Sequence, residues 1–582
     1  MNPPNAGKIT VGIDLGTAFT GVAYTTVAVP NMPDEAEHLR RWPGPQDSVS
    51  CDKVPSVIEH ALGNSWGAQV LPAMNSCDWF KLLLDENIDR GEFDEPDLND
   101  TNQGIFNLQA NESAASVTER FLRHVHRHVW QELQHNIPNI ETLPVTFNVT
   151  VPAAWSTSTR QLTERIAKRA GIAQRPGDLL FTVSEPVAAA IKVFDDNVQQ
   201  FAPGDVLHIC DVGGGTIDVA TFSVSQTGNR PVIQQVGQAM AGKCGVASVY
   251  SRFYKLMRAR FSDAFTELPM SQRRMGSRLI RDFDIQTGEF RAGNPPKQIY
   301  SLELRMDLDG PCPAHYDSRQ HRILLSKQDM MNLLDPILDK ARGLIDSQQQ
   351  SVANLCTRRK HLHVVGGGAC IPYIPEGIRQ HFETPGLVIK VPNNPHLVVL
   401  QGAVFYGSQE SYLSVNRCLQ HVGISCTRSY VETRDAQADP QVLNLRRDPF
   451  TPKYVGDGVA IWGERYHDGY CERHDFFADI MTYADTRKRS HPIYKCRNTM
   501  APARVDGNSV VHLSSIPLDF DKIDPLQCSW AQTYGLSMYR VPYTIETRVL
   551  PRENQITFIA NAFDWRLGTV ELGTATVAMP AP

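Results

Sequence analysis

The sequence predicts an α/β protein in which a duplicated two-lobed unit encloses a cleft and a smaller β-rich, sandwich-like domain follows. Three observations carry this. Two segments, Ile9–Thr17 and Val206–Thr216, share one design: an apolar, β-branched strand that reaches an Asp and turns on glycine. A third, His361–Gly368, repeats the strand and ends in Gly366-Gly-Gly368. Beyond about Ser408 the helical periodicity fades and short alternating segments take over.

Each element follows from its own pattern. After the first turn the chain continues as Gly21-Val-Ala-Tyr-Thr25, and after the second as Ile217-Asp-Val-Ala-Thr-Phe-Ser-Val224. Strand, glycine turn and strand read as a β-hairpin with the glycines at its tip. The third motif meets Pro372 and then Ile374 to Phe382, a helix-start pattern. Amphipathic helices are expected over Thr159–Ala170 and Asp329–Ser347. Two copies of strand, Asp, turn and strand predict two α/β lobes with a cleft between them. In the C-terminal part, Gly458–Trp462, Ser509–Leu513, Gln555–Ala560 and Val570–Val577 alternate between turn residues, as antiparallel sandwich strands do. The expected domains are therefore 8–408 and 409–582.

Composition narrows the function classes. At 582 residues, with 42% hydrophobic and 21% charged, the chain matches an ordinary globular protein of several compact units. The longest apolar runs, such as Val364–Ile371, fall far short of the ~20 residues that a spanning helix needs, so no membrane role is expected. The first residues lack a signal-peptide layout, and the twelve cysteines are scattered with no C-x-x-C pair. Reduced thiols in the cytoplasm are expected, with the nucleus open as a second compartment. The sequons at Asn99, Asn111 and Asn148 then carry no weight. A net charge of −6 without a basic run argues against nucleic acid.

The glycine turns carry the chemistry. Without a Cβ, backbone N–H groups approach phosphate oxygens closely and form an anion-binding concavity. Two such turns from opposite lobes can clamp phosphates between them, with Thr17 and Thr216 adding hydroxyls. Asp14 and Asp211, at matching offsets, suit the water shell of a magnesium ion. Either turn alone marks a tight hairpin just as well; their joint occurrence points to phosphate.

Ile13-Asp-Leu-Gly-Thr17, Asp211-Val-Gly-Gly-Gly-Thr-Ile-Asp218, Val365–Gly368 and Ser184-Glu-Pro-Val-Ala-Ala-Ala190 together resemble the actin-like ATPase superfamily. Glu185-Pro186 and Val151-Pro-Ala-Ala-Trp155, followed by Arg160-Gln161, look most like its seventy-kilodalton heat-shock chaperones, over about residues 8–408. The β-rich tail resembles the lidless branch of the heat shock protein 12 A/B type and its fungal relatives. The resemblance implies ATP and Mg2+ as cofactors, with Asp14 and Asp211 holding the metal through water. Gly16, Thr17 and Ala18 of the first turn, Gly213, Gly214, Gly215 and Thr216 of the second, and Gly366, Gly367, Gly368 and Cys370 of the third would contact the nucleotide. Lys81 would polarise the γ-phosphate, Glu185 would sense it through the metal network, and Asp218 would help to orient the attacking water. The alternative for Lys81 is a lysine snorkelling from a half-buried apolar run.

Several positions depart from the family pattern. Cys370 stands where an arginine stacks on the base, His396 where an aspartate is usual, Thr287-Gly288 where a basic pair grips the adenosine, and Phe19 where a tyrosine is common. Retained but weakened ATP binding with slow hydrolysis is expected, coupled to a C-terminal domain that takes unfolded or extended polypeptides or a dedicated protein partner. A nucleotide-gated scaffold without turnover stays open beside it, as does a small-molecule kinase on the same fold. No acidic–leucine linker, helical lid or acidic tail motif is seen, so co-chaperones that dock on such a tail are not expected. His124, His126 and His128 read as a solvated helix face rather than a metal site, and Arg273-Arg274 and Arg358–Lys360 as charged helix ends or loops. Cys210 reads as a small core residue.

Overall fold

The computed structural model describes residues 9–26, 36–46, 48–60, 64–85, 108–109, 111–227, 230–291, 297–308, 310, 312, 314–353, 359–406, 421–429, 445–447, 454–462, 471–481, 487–496, 510–533, 536–550 and 555–578. Contacts divide the chain into two compact units, 1–413 and 414–582. The boundary expected at 408 lies outside the described residues.

The first unit is built on two mixed sheets. One contains β1 (Ile9–Leu15), β2 (Phe19–Thr26), β3 (Glu37–His38), β4 (Val145–Val151) and β5 (Leu179–Ser184), in the order β5-β4-β1-β2-β3, with Val54–Pro55 also on β2. The other contains β6 (Val206–Val212), β7 (Ile217–Thr227), β8 (Arg230–Gly242), β9 (Lys360–Val365) and β10 (Leu387–Lys390), in the order β8-β7-β6-β9-β10. The order is the same in both: fifth, fourth, first, second, third. In both, the first pair is an antiparallel hairpin and the fourth strand joins the first in parallel. Every residue of β1, β4 and β6 is buried, which explains their near-continuous apolar runs. An α/β architecture of this kind accords with a nucleotide-binding, actin-like fold.

Helix α1 (Ala114–Asn136) starts at a Ser113 cap. Helix α2 (Thr157–Arg169) begins two residues earlier than its periodicity suggests, because the Ser156 side chain accepts the Thr159 amide. Helix α3 (Glu185–Asn197) follows β5 yet packs on the second sheet, setting Val187, Ile191 and Phe194 against Leu207, Ile209 and Phe222. Helix α4 (Ala247–Phe261) begins against the second turn, and α5 (Arg278–Glu289) follows it in the chain. Helix α6 (Lys327–Ser351) is extended at its start by a reciprocal capping box of Ser326 and Asp329. Helix α7 (Tyr373–Phe382) follows the third glycine motif, and α8 (Val398–Phe405) follows β10 yet packs on the first sheet. There Leu400 and Val404 meet Ala23. The two helices cross tightly: a Cβ at Gly402 would lie 1.7 Å from the Ala188 carbonyl oxygen.

The second unit contains two antiparallel five-stranded sheets. One holds His421–Ser429, Leu445–Arg447, Tyr454–Trp462, Lys488–Cys496 and Val510–Asp519; the other holds Cys471–Met481, Ser529–Thr533, Leu536–Leu550, Gln555–Asp564 and Gly568–Ala578. Ile424, Ile493 and Ile516 from the first share one core with Ile480, Ile545 and Phe558 from the second. A Cβ at Gly573 would lie 1.7 Å from the Pro517 carbonyl oxygen, so the sheets meet backbone to backbone there.

One surface reading needs correction. His124, His126 and His128 are half-buried: His124 stacks on Trp66, His128 bonds the Arg41 carbonyl, and His126 packs beside Phe147. Apolar aromatic faces on the neighbouring segment cover what the sequence presented as a polar stripe. Arg273 and Arg274 close the short helix Met270–Arg273, as the sequence suggests, and Arg274 is buried, donating to the carbonyls of Met74 and Ser76 with Asp78 alongside. Arg358 lies outside the described residues, whereas Lys360 begins β9. Cys210 is a fully buried core residue. Asn148 is buried too, its amide donating to the Ala403 and Tyr406 carbonyls, which leaves no room for a glycan.

Candidate nucleotide site

A cavity of about 520 Å³ opens where the two hairpin turns face each other. A Cβ at Gly215 would lie 2.4 Å from Thr17 Oγ1, and one at Gly214 3.4 Å from the Ala18 amide, so the turns touch. Their carbonyls are tied away from the cavity by different means. In the first turn Ser56 does this: its Oγ donates to Gly16 O at 2.8 Å and its amide to Ala18 O at 2.9 Å. In the second turn the amides of Gly245, Val246 and Ala247, at the start of α4, donate to Gly215, Gly213 and Gly214. Peptide planes held this way offer amides to the cavity, the requirement for an anion cradle. Gly366, with φ at +86°, completes the floor; a Cβ there would lie 2.1 Å from Asp211 Oδ1.

Asp14, Gly16, Thr17, Ala18, Lys81 and Glu185 all line this cavity. So do Asp211, Gly213, Gly214, Gly215 and Thr216, and, from the third motif, Gly366, Gly367 and Cys370. Gly368 does not line it; a Cβ there would meet Val212 Cγ1 at 2.4 Å, so this glycine serves strand packing. Asp218 also lies off the lining: it is fully buried, and its Oδ1 accepts the Ala153 amide at 2.6 Å.

Lys81 is not a snorkelling lysine. It is buried on the short turn Phe80–Leu83, and its Nζ donates to Glu185 Oε1 at 2.6 Å, with the Trp155 ring 5.4 Å away. Glu185 opens α3, where the helix dipole favours a carboxylate. Asp14 is held by Lys53 Nζ at 2.5 Å on Oδ2 and by Thr150 Oγ1 at 2.7 Å on Oδ1. Burial raises its pKa, but Lys53 and Lys81 outweigh that and hold the carboxyl below its ordinary value. Burial pushes the other carboxyls up: Asp211 well above its ordinary range, with Glu185, Asp218 and Asp14 adding to the rise; Asp218 to about 7; and Glu185 upward despite Lys81.

A magnesium ion passes a simple fit test here. Asp211 Oδ1 and Asp218 Oδ2 are buried and lack a hydrogen-bond partner. Among the described residues no three His, Cys, Asp or Glu side chains close around a direct metal position. Carboxylates of this kind suit a cation held through water.

Another part of the lining is built differently. Cys370 Sγ lies 3.7 Å from His396 Nδ1, and His396 Nε2 lies 3.5 Å from Asp52, which also bonds His38 at 3.0 Å. Thr287 and Gly288, near the end of α5, line the cavity as well, as do Tyr250 and Asp284, joined by a 2.6 Å hydrogen bond. Phe19 lines the cavity with half its surface exposed. Sequence reasoning missed Lys53, Ser56, Thr150 and Gly245. Only Gly245 left a signal, a glycine immediately before a helix start.

No protein-family model matches the chain. It is 22% identical to human heat shock 70 kDa protein 12B over 549 residues, covering 80% of this chain and 78% of that protein. It is 21% identical to mouse heat shock 70 kDa protein 12A, covering 73% of each. With the chaperone protein DnaK of Thermoplasma volcanium it shares 24% over 262 residues, 45% of this chain and 39% of that protein. The chain is a distant relative of the seventy-kilodalton heat-shock chaperones. Kinship with these chaperones, together with an α/β unit and a β-sandwich, supports a nucleotide-binding, chaperone-like function in general terms.

Proposed function

We propose that the first unit binds ATP with magnesium in this cavity, hydrolyses it slowly, and couples the nucleotide state to polypeptide binding by the β-sandwich. One observation carries the reading: two glycine turns, a buried Lys81–Glu185 pair and an unpartnered Asp211 oxygen converge on one cavity. Its size suits a nucleotide, since small-molecule sites span roughly 300–1,000 Å³.

Phosphoryl transfer is catalysed mainly by positioning and by stabilising charge on the transferred group. The turn amides with Thr17 and Thr216 would orient the phosphates, and Lys81, fixed by Glu185, would stand by the terminal one. Asp14 and Asp211 would hold magnesium through water, and the ion would neutralise phosphate charge. Asp218, raised to about 7, is poised to take up a proton from beneath the floor. The absence of Asp218 from the cavity lining favours a second reading, in which nucleotide binds and gates the protein without turnover.

In the second unit Leu526, Trp530, Phe563, Trp565 and Leu567 are exposed, and among the described residues Gly568–Ala578 pairs with one neighbour only. Strand addition and apolar contact there support extended polypeptide as the partner. The lidless branch and a cytoplasmic setting are proposed on the sequence alone, from the β-rich tail and the scattered single cysteines.

Titration calorimetry with Mg·ATP and Mg·GTP, on wild type and Asp211→Asn, followed by single-turnover hydrolysis, tests the reading. Saturable heat in the wild type and weaker binding in the variant are expected. Absence of heat in the wild type sinks it, and binding without turnover selects the gated scaffold. Anisotropy of an extended apolar peptide should depend on nucleotide; equal affinity with and without ATP refutes the coupling.

A further inference from the structure

Lys53 reaches the cavity by a dedicated path. It precedes Val54–Pro55, which pairs with the start of β2. Its stem crosses β2 at Gly21, where a Cβ would lie 2.9 Å from Lys53 Cγ and 3.3 Å from Cε. Gly21 is the register partner of Asp14 on β1, so the stem runs across the sheet to bring Nζ onto Asp14 Oδ2. Thr150 occupies the other oxygen, and both atoms of this carboxylate are therefore taken. Asp211, its counterpart in the second turn, has a buried oxygen without a partner. Lys81 is engaged by Glu185.

A phosphate tail brings several negative charges against Asp14, Glu185 and Asp211, and charges brought together out of water need an interposed cation. The Lys53 ammonium carries three donors, one of them spent on Asp14. Resting on the nucleotide reading above, we propose that Lys53 is a built-in cation of the first turn, bridging Asp14 to the phosphates so that nucleotide is held without a divalent ion. A hydrated magnesium ion then falls to the Asp211 side.

Calorimetric titration of the full chain with ATP and ADP, each with magnesium and with EDTA, tests this in wild type and Lys53→Met. Wild-type affinity should fall by less than about tenfold when magnesium is removed, because the lysine supplies a charge-assisted contact. Lys53→Met should still bind with magnesium and lose about a hundredfold without it. A wild type that loses binding in EDTA as steeply as Lys53→Met overturns the inference and leaves the nucleotide reading standing. No binding by the wild type in either condition sinks the nucleotide reading itself. Should Lys53→Met fail to fold by circular dichroism, the wild type and Lys53→Arg decide: binding insensitive to EDTA supports the role, and its loss overturns it.

Discussion

The two halves of the first unit share strand order, hairpin and aspartate offset, yet their aspartates sit in opposite electrostatic states. Asp14 is paired on both oxygens and held below its ordinary pKa; Asp211 is unpartnered on one and pushed well above it. The cause lies outside the repeated motif. Lys53 comes from a segment outside the repeat, and Thr150 lies on β4, whose counterpart β9 sets Val365 beside Asp211. Repetition reproduces backbone geometry, and the residues packed around it divide the chemistry.

The sharpest way to break this comparison is to remove each charge in turn. Asp14→Asn leaves the partly buried Lys53 without its ion-pair partner and should destabilise the nucleotide-free protein by ~1–3 kcal/mol. Asp211→Asn removes a buried carboxyl that has no counter-charge and should leave stability unchanged or raise it. Denaturant unfolding of both variants checks the pair, and equal losses would erase the distinction.

Proton uptake offers a second test. Because Asp218 has a folded-state pKa of about 7 against an ordinary 3.8, the native state binds more protons between those values. Its contribution to stability is therefore present at low pH and is lost as pH rises towards 7, by up to ~4 kcal/mol. Asp14 behaves oppositely: its contribution is present above 3.8 and is lost as pH falls below that. Unfolding curves from pH 4 to 8 should fall less steeply for Asp218→Asn than for wild type; parallel curves would discard the assignment.

The way each turn is pinned predicts a smaller asymmetry. Gly245→Ala would place a Cβ 2.6 Å from the Gly215 carbonyl carbon and should destabilise by ~1–3 kcal/mol while weakening nucleotide binding. Ser56→Ala removes the side-chain hydrogen bonds with Gly16 O and Thr20 Oγ1 but keeps the amide contact, for about 1 kcal/mol. Thermal melts of the two variants rank them. The mildest effect belongs to the nucleoside end. Cys370→Arg should improve ATP affinity by ~0.5–1 kcal/mol through stacking on the base, read as a several-fold lower Kd.

Much of the first unit was legible because its signals are local. Strand, Asp and glycine turn lie within nine residues of each other in Ile9–Thr17, and the same pattern recurs in Val206–Thr216. Lys53 could not be read this way. Its approach to Asp14 depends on the pairing of Val54–Pro55 with β2 and on the groove over Gly21, and nothing local in the chain announces either. The histidine run failed for a related reason. Periodicity placed His124 and His128 on one face, but Trp42 and Trp66, distant in sequence, cover it. Four strands of the second unit were visible in their alternation, whereas the others and the division between two sheets rest on long-range pairing.

The crossing of α3 and α8 has a mechanical consequence. Each helix departs from one lobe and lies on the other, and they meet where Gly402 lets backbone rest on the Ala188 carbonyl. A joint of this kind resists sliding, because displacement along either axis drives a neighbouring side chain into that contact. Turning about the contact point asks for far less rearrangement. The lobes are thus hung like the blades of scissors, with the fulcrum at a missing methyl group and the leverage growing towards the rim.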